Sequence, residues 1–359
     1  MRNYFFLLVL MMWLPGCVKE QQQATVQQED LLYPEGDSIN IRDLVVHDPC
    51  ILADSASGTY YIYEKFSPSR FQGLVENAPK GKAGVFFQAS KDLVSWSRPK
   101  AAFVIPDTFW ADDDAGPWAP EVHQYHGKYY LFATFNAWGD TLPPLEGRPP
   151  ITRRASQILV SPSPEGPFVP FHNSPSTPDG EMTLDATLWV DNGQPWMVYC
   201  HEWVQLGNGL IKAIRLTDDL SETVGEPITL LNAADVAWTR KNVSYHGTRY
   251  PGAVTDGPYL YRSFSGKLMM VWSSWSTDRK YALALATSES NTIEGPWIHE
   301  PEPLLQDDRG HGMIFTDFEG RLLLCLHRYF HYPDTRVQLY ELEDLGQRLQ
   351  VKGQILGAE

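Results

Sequence analysis

Glu121-Val122-His123-Gln124-Tyr125-His126-Gly127-Lys128-Tyr129-Tyr130-Leu131-Phe132 decides the fold. Two short apolar-aromatic runs flank a turn that contains glycine, which is the signature of a β-hairpin. The second half returns four more times, at Gly58-Thr59-Tyr60-Tyr61-Ile62-Tyr63, Gly193-Gln194-Pro195-Trp196-Met197-Val198-Tyr199, Gly266-Lys267-Leu268-Met269-Met270-Val271-Trp272 and Gly320-Arg321-Leu322-Leu323-Leu324-Cys325-Leu326. An apolar run precedes each: Cys50 to Ala53, Ala186 to Val190, Pro258 to Arg262 and Met313 to Asp317. The five glycines are 69, 66, 73 and 54 residues apart. Such intervals suit a four-stranded blade with variable loops. Ser161 to Phe168 and Ser288 to Trp297 echo each other as outer turns, and Ser90 to Trp96 fills that slot in the first repeat.

No long stretch carries the 3.6-residue apolar period of a core helix, so folds that alternate strands with helices are disfavoured. A two-sheet sandwich is the alternative, but the length and the fivefold return oppose it. The expected fold is all-β, a five-bladed β-propeller over 40–359.

The chain of 359 residues carries a formal charge of −15, and its basic residues form no stripe to offset it. That field repels a phosphate backbone, so a nucleic-acid partner is not expected. Aromatic residues make up 13% of the chain, enough to leave some free for stacking on flat ligand faces. Arg2 and the short apolar stretch Phe5 to Trp13 read as a signal peptide over 1–16. Leu14-Pro15-Gly16-Cys17 resembles a bacterial lipobox, so Cys17 is the expected lipidation site and 17–39 a lipidated tether. This predicts a monomer in the bacterial cell envelope, touching membrane through its lipid alone. Cys50, Cys200 and Cys325 remain, an odd number inside apolar runs, and read as buried free thiols.

The informative carboxylates precede or open the first strands of the hairpins: Asp48 in His47-Asp48-Pro49, Glu121 after Trp118-Ala119-Pro120, Asp185 in Leu184-Asp185-Ala186-Thr187-Leu188, and Asp256 in Asp256-Gly257-Pro258. The fifth repeat places His311 there, in Gly310-His311-Gly312. In a propeller these starts share one mouth of the central channel, where crowded like charges raise some carboxyl pKa values. For one Asp alone, a turn cap beside Pro or Gly is the competing reading.

With these motifs, residues 40 to 345 resemble the family 43 glycoside hydrolases, five-bladed propellers that remove arabinofuranosyl or xylosyl units from plant polysaccharides with inversion. The resemblance implies Asp48 as general base, Asp185 as the residue that tunes and orients the acid, and Asp256 at the position of the general acid. The family's central His, near a bound calcium or water, matches His311, and Trp118-Ala119-Pro120-Glu121 is similar to its second-blade motif; Trp118, Glu121, Trp203, His311 and Arg328 are the candidate substrate-binding residues, and no cofactor is required. The family's acid is Glu, and Asp256 is one methylene shorter. A misplacement of about 1 Å can cost about 10²-fold in rate. Either the blade adjusts, or another residue donates the proton, or the protein binds glycans with little hydrolysis. Glu202, in Cys200-His201-Glu202-Trp203, is the alternative acid.

Trp118, Trp138, Trp189, Trp203 and Trp275 are candidate sugar-stacking residues, with Trp118 and Trp203 favoured because they flank polar candidates. Arg328 could bind a hydroxyl or carboxylate, and Arg240 and His123 are weaker choices. Asp112-Asp113-Asp114 reads as a hydrated loop, and the chain contains no serine elbow, HExxH motif or phosphate-cradling glycine pattern. The expected activity is an inverting α-L-arabinofuranosidase or β-xylosidase, with a non-catalytic glycan-binding propeller as the alternative.

Overall fold

The computed structural model describes Tyr33 and residues 36–143 and 146–358. The expected signal peptide, Cys17 and most of the expected tether lie outside the described residues.

Five sheets stand in a ring as a five-bladed β-propeller, and each takes its strands from one stretch of chain. Blade I holds β1 (Ser38–Asn40), β2 (Cys50–Asp54), β3 (Thr59–Phe66), β4 (Gly84–Ser90), β5 (Ser95–Ser97) and β6 (Lys100–Val104). Blade II holds β7 (Trp118–Tyr125), β8 (Lys128–Leu142), β9 (Ile151–Ser161) and β10 (Val169–Pro170). Blade III holds β11 (Thr183–Asp191), β12 (Gln194–His201), β13 (Leu210–Leu216) and β14 (Thr223–Asn232). A separate hairpin follows, β15 (Asn242–Tyr245) with β16 (Thr248–Pro251). Blade IV holds β17 (Asp256–Arg262), β18 (Leu268–Trp275), β19 (Tyr281–Ser288) and β20 (Trp297–His299). Blade V holds β21 (Arg309–Thr316), β22 (Leu322–Arg328), β23 (Arg336–Asp344) and β24 (Leu349–Gly357).

Each expected hairpin is the innermost pair of its blade. The five turn glycines sit at φ between 58° and 86°, the left-handed region that costs glycine nothing. The Ser161 and Ser288 motifs join third to outer strands in blades II and IV, as their echo suggests. Four inner strands start earlier than the apolar runs predict. A bulge extends β7 back to Trp118, β11 to Thr183, β17 to Asp256 and β21 to Arg309.

Alternating strand faces bury apolar side chains between neighbouring blades, which is where the core lies. One cluster joins Ile51, Ile62 and Phe86 of blade I to Met313, Leu323, Cys325 and Leu339 of blade V, and so closes the ring. The seam is also pinned by polar contacts: Phe318 N donates to Tyr60 Oη at 2.8 Å, and Tyr332 Oη donates to Glu64 Oε2 at 2.9 Å. Cys50, Cys200 and Cys325 are free and buried, as expected. Above blades II to IV, the long β8–β9 hairpin packs Leu142 and Ile151 against Trp203, Val204 and, from β15, Val243.

Candidate active site

One backbone feature repeats in every blade. Asp48, Ala119, Asp185, Gly257 and His311 have φ of 56°, 42°, 55°, 50° and 50°. The last four lie within the bulges that open β7, β11, β17 and β21. A left-handed non-glycine residue costs roughly 1–2 kcal/mol, and such strain collects at functional sites. A bulge re-aims a side chain, here toward the channel opening.

This register departs from the sequence reading in blade II, while in blade IV Asp256 opens β17 as expected. Blade II offers Ala119, not Glu121. Glu121 lies two residues further along β7, buried, with His123 Nε2 at 2.9 Å from its Oε2. Its carboxylate faces His123 and is near enough for its charge to act on His311. In blade IV the left-handed position belongs to Gly257, and Asp256 stands one residue before it. The glycine is required: a Cβ there would lie 2.9 Å from the His311 ring.

His311 sits at the centre. Its Nδ1 is 3.0 Å from Asp48 Oδ1 and 3.8 Å from Asp185 Oδ2, and its backbone N donates to Ser273 Oγ at 2.7 Å. Burial alone would lower its pKa, but Asp48 and Asp185 outweigh burial and lift it to about 10. Asp48 takes a second ion-pair contact, His47 Nδ1 at 2.8 Å from Oδ2, and its backbone N donates to His327 Nδ1 at 3.1 Å. Burial would raise the Asp48 pKa; His311 and His47 overcome it and hold the carboxyl well below its ordinary value.

The other two acids are driven the opposite way. Burial, with Asp48 and Glu202 adding to it, pushes Asp185 up to about 7 against the pull of His311 and the Gly257 N–H, which donates to Asp185 Oδ2 at 3.0 Å. Asp256 is only partly covered, yet desolvation together with Asp185 and Glu202 raises its pKa well above its ordinary value. Tyr281 Oη donates to Asp256 Oδ2 at 3.0 Å. The opening thus holds one carboxyl driven toward its ionised form and another driven toward its protonated form, the opposition on which paired acid–base chemistry relies.

Glu202 is buried beside this group and is ion-paired with Arg154, which also donates to Asn136 Oδ1 at 2.9 Å. Burial raises the Glu202 pKa while Arg154 opposes it. Half-buried Trp118 carries the Arg154 guanidinium over its ring at 4.0 Å, so that face is covered. Trp203 is a correction: it is buried with Leu142, Met182 and Val254, under the Arg148 guanidinium, and serves packing. Arg328 points elsewhere, toward Asp307 Oδ2 at 3.5 Å and the Tyr329 ring. Trp189 packs on the core of blades III and IV, Trp138 is exposed on the extended β8, and Trp275 packs on Tyr281 and Phe330 next to Asp256's partner. His123 is bound to Glu121, Arg240 lies near Arg249 and Arg279, and in the acidic loop Asp113 pairs with Lys82.

Sequence reasoning missed His47, His327, Tyr281 and Arg154. His47 adjoins Asp48 and was within reach of the motif. His327 is 279 residues from Asp48, and nothing local links them.

Among the described residues, His47, Asp48 and His327 form the one group of three whose ligand atoms lie within 4.8 Å of one another. Asp48 Oδ2 faces His47 Nδ1, Asp48 Oδ1 faces His311 Nδ1, and the Asp48 backbone N–H donates to His327 Nδ1. The Nε2 atoms of His311 and His327 are both buried without a hydrogen-bond partner among the described residues. Calcium takes six to eight oxygen ligands, water among them; of these three side chains only Asp48 offers oxygen, so water would have to supply most of the shell of an ion held here.

Comparison with known proteins bears on the family and the fold. The family model described as Glycosyl hydrolases family 43 matches residues 41–343. The extracellular exo-α-(1→5)-L-arabinofuranosidase ArbA of Cellvibrio japonicus is 24% identical over 68% of this chain and 73% of its own. An extracellular exo-α-(1→5)-L-arabinofuranosidase of Streptomyces avermitilis is 21% identical over 63% of this chain, which spans 46% of that protein. Among solved structures, an endo-arabinase from Bacteroides thetaiotaomicron is 36% identical, covering 86% of this chain and 98% of its own, with a TM-score of 0.73.

Proposed function

This chain belongs to glycosyl hydrolase family 43 and is a glycosidase acting on O-glycosyl bonds, and we propose that it cleaves α-L-arabinofuranosyl linkages of plant-type polysaccharides or oligosaccharides with inversion. Arabinofuranosidases and an arabinase among its relatives favour arabinofuranosyl over xylosyl substrates. "Extracellular" in two relatives' names supports an exported protein, and the lipobox-like segment adds an anchor at Cys17.

The opposed protonation of Asp48 and Asp256 carries the reading. Asp48 is the general base: ionised against His311 and His47, it takes a proton from the attacking water. Asp256 is the general acid and protonates the departing glycosidic oxygen. Asp185, beside both, raises the acid's pKa and receives the Gly257 N–H. Inversion sets about 6.5–9.5 Å between base and acid, with the water on the face opposite the leaving group. Glu202 is committed to Arg154 and is assigned a structural and electrostatic role instead of proton donation.

The test is hydrolysis of aryl arabinofuranosides, xylosides, galactosides and arabinan by wild type, D48N, D256N and E202Q, with the anomer of the first product read by NMR. D48N is expected to be inactive and D256N strongly impaired on substrates with poor leaving groups. Near-wild-type turnover by D256N, with loss in E202Q, would move the acid to Glu202. A retained anomer would refute the mechanism.

A further inference from the structure

We propose that Tyr281 is a positioning residue for proton donation: its hydroxyl fixes the shortened acid Asp256 and leaves the acid's proton on the oxygen facing the leaving group. This rests on the assignment of Asp256 as the acid. Tyr281 opens β19, is fully buried, and its hydroxyl has Asp256 Oδ2, at 3.0 Å, as its one hydrogen-bond partner among the described residues. Burial first, and Asp256 next, push the Tyr281 pKa up, so the phenol keeps its proton and must donate it. With Oδ2 accepting that bond, the proton of neutral Asp256 resides on Oδ1.

The ring that presents this hydroxyl is itself held. Tyr281 stacks on His327 at 5.5 Å and 4°, His327 on His47 at 4.3 Å and 22°, and His47 on Tyr332 at 5.5 Å and 28°. Phe330 packs edge-on against Tyr281, His47 and His327. The same two histidines hold the base, His47 through the Asp48 carboxylate and His327 through the Asp48 backbone N–H. One row of rings therefore sets both ends of the reaction. Asp has one side-chain torsion fewer than Glu, so a single rigid partner suffices to fix it. In the reaction, the Asp256 Oδ1–H proton passes to the glycosidic oxygen as the C1–O bond breaks and its electron pair stays with the leaving group. Water forms the new bond to C1 and yields its proton to Asp48. The new Asp256 carboxylate keeps the Tyr281 O–H bond.

Other groups also act on Asp256: Asp185, Glu202 and the Cys200 thiol from blade III, His311 from blade V and Asp48 from blade I. All remain in Tyr281→Phe, which removes only the oxygen and keeps the stacked ring. With the protein as it stands, kcat and KM are measured on phenyl α-L-arabinofuranoside, whose leaving group needs a proton, and on the 2,5-dinitrophenyl glycoside, whose leaving group does not. For Y281F, kcat on the phenyl glycoside is expected to fall about 10- to 10²-fold with KM unchanged, and on the dinitrophenyl glycoside by less than about threefold. A carboxyl ¹³C titration of Asp256, assigned by its absence in D256N, is expected to shift upward by about one to two pH units, because the lost bond favoured the carboxylate. Equal loss on both glycosides with an unmoved titration would reduce Tyr281 to packing and overturn the proposal. Unchanged kinetics with an unmoved titration would overturn it as well. If neither glycoside is turned over, the titration alone decides: a shift supports the contact and its absence refutes it. Equal loss on both glycosides in D256N would instead sink the assignment of the acid, and the titration would still read the Tyr281 contact.

Discussion

Replacing Gly257 by Ala probes the joint between blades IV and V. At φ of 50°, the new residue carries a left-handed penalty of roughly 1–2 kcal/mol. Its Cβ would stand 2.9 Å from Cδ2 and Cγ of His311 and 3.0 Å from Nδ1, so the imidazole must retreat by several tenths of an ångström. The retreat stretches the 3.0 Å contact of His311 Nδ1 with Asp48 Oδ1, a charge-assisted bond worth about 1.5–3 kcal/mol if lost entirely. Strain and weakened pairing together predict a stability loss of about 2–4 kcal/mol in urea unfolding. They also predict a catalytic signature. The Asp48 carboxyl is held down by His311, so weakening that contact raises its pKa, and the acidic limb of kcat/KM moves to higher pH. The assay is a pH–rate profile of G257A beside its unfolding curve. A destabilised variant whose acidic limb stays in place would show that His311 does not set the base; full stability would refute the steric argument itself.

His311 also links stability to pH. Its folded pKa of about 10 lies above the ordinary 6.5, so its contribution is complete below about pH 6.5 and fades as pH rises through 10. The stability difference between wild type and H311Q is therefore expected to shrink across that window in urea titrations; a constant difference would contradict it. Arg154→Met strands Glu202 as an unpaired buried carboxylate, which is expected to cost about 3–5 kcal/mol in chemical unfolding. The double variant R154M/E202L should recover most of that loss, and failure to recover would mean that Arg154 acts chiefly on Trp118 or Asn136.

The chain itself determined the blades. Alternating apolar strands and five turn glycines are local signals, legible because a hairpin is built from neighbouring residues. Asp48, Asp185 and His311 were legible for the same reason, each lying at the start of an inner strand. What the tertiary structure decided was register and partnership. A bulge adds a residue without a fixed sequence mark, so Glu121 and Asp256 looked equivalent to Asp185 although Ala119 and Gly257 hold that position. Burial turned Trp203 from a stacking candidate into core, because the β8–β9 extension and β15 cover it. Asp48 meets His327 only where blade V returns to blade I, and Asp256 of β17 meets Tyr281 of β19, 25 residues on, past the intervening β18. Sequence named the acids; closing the ring set which of them keeps its proton, because desolvation and charge act through space and not along the chain.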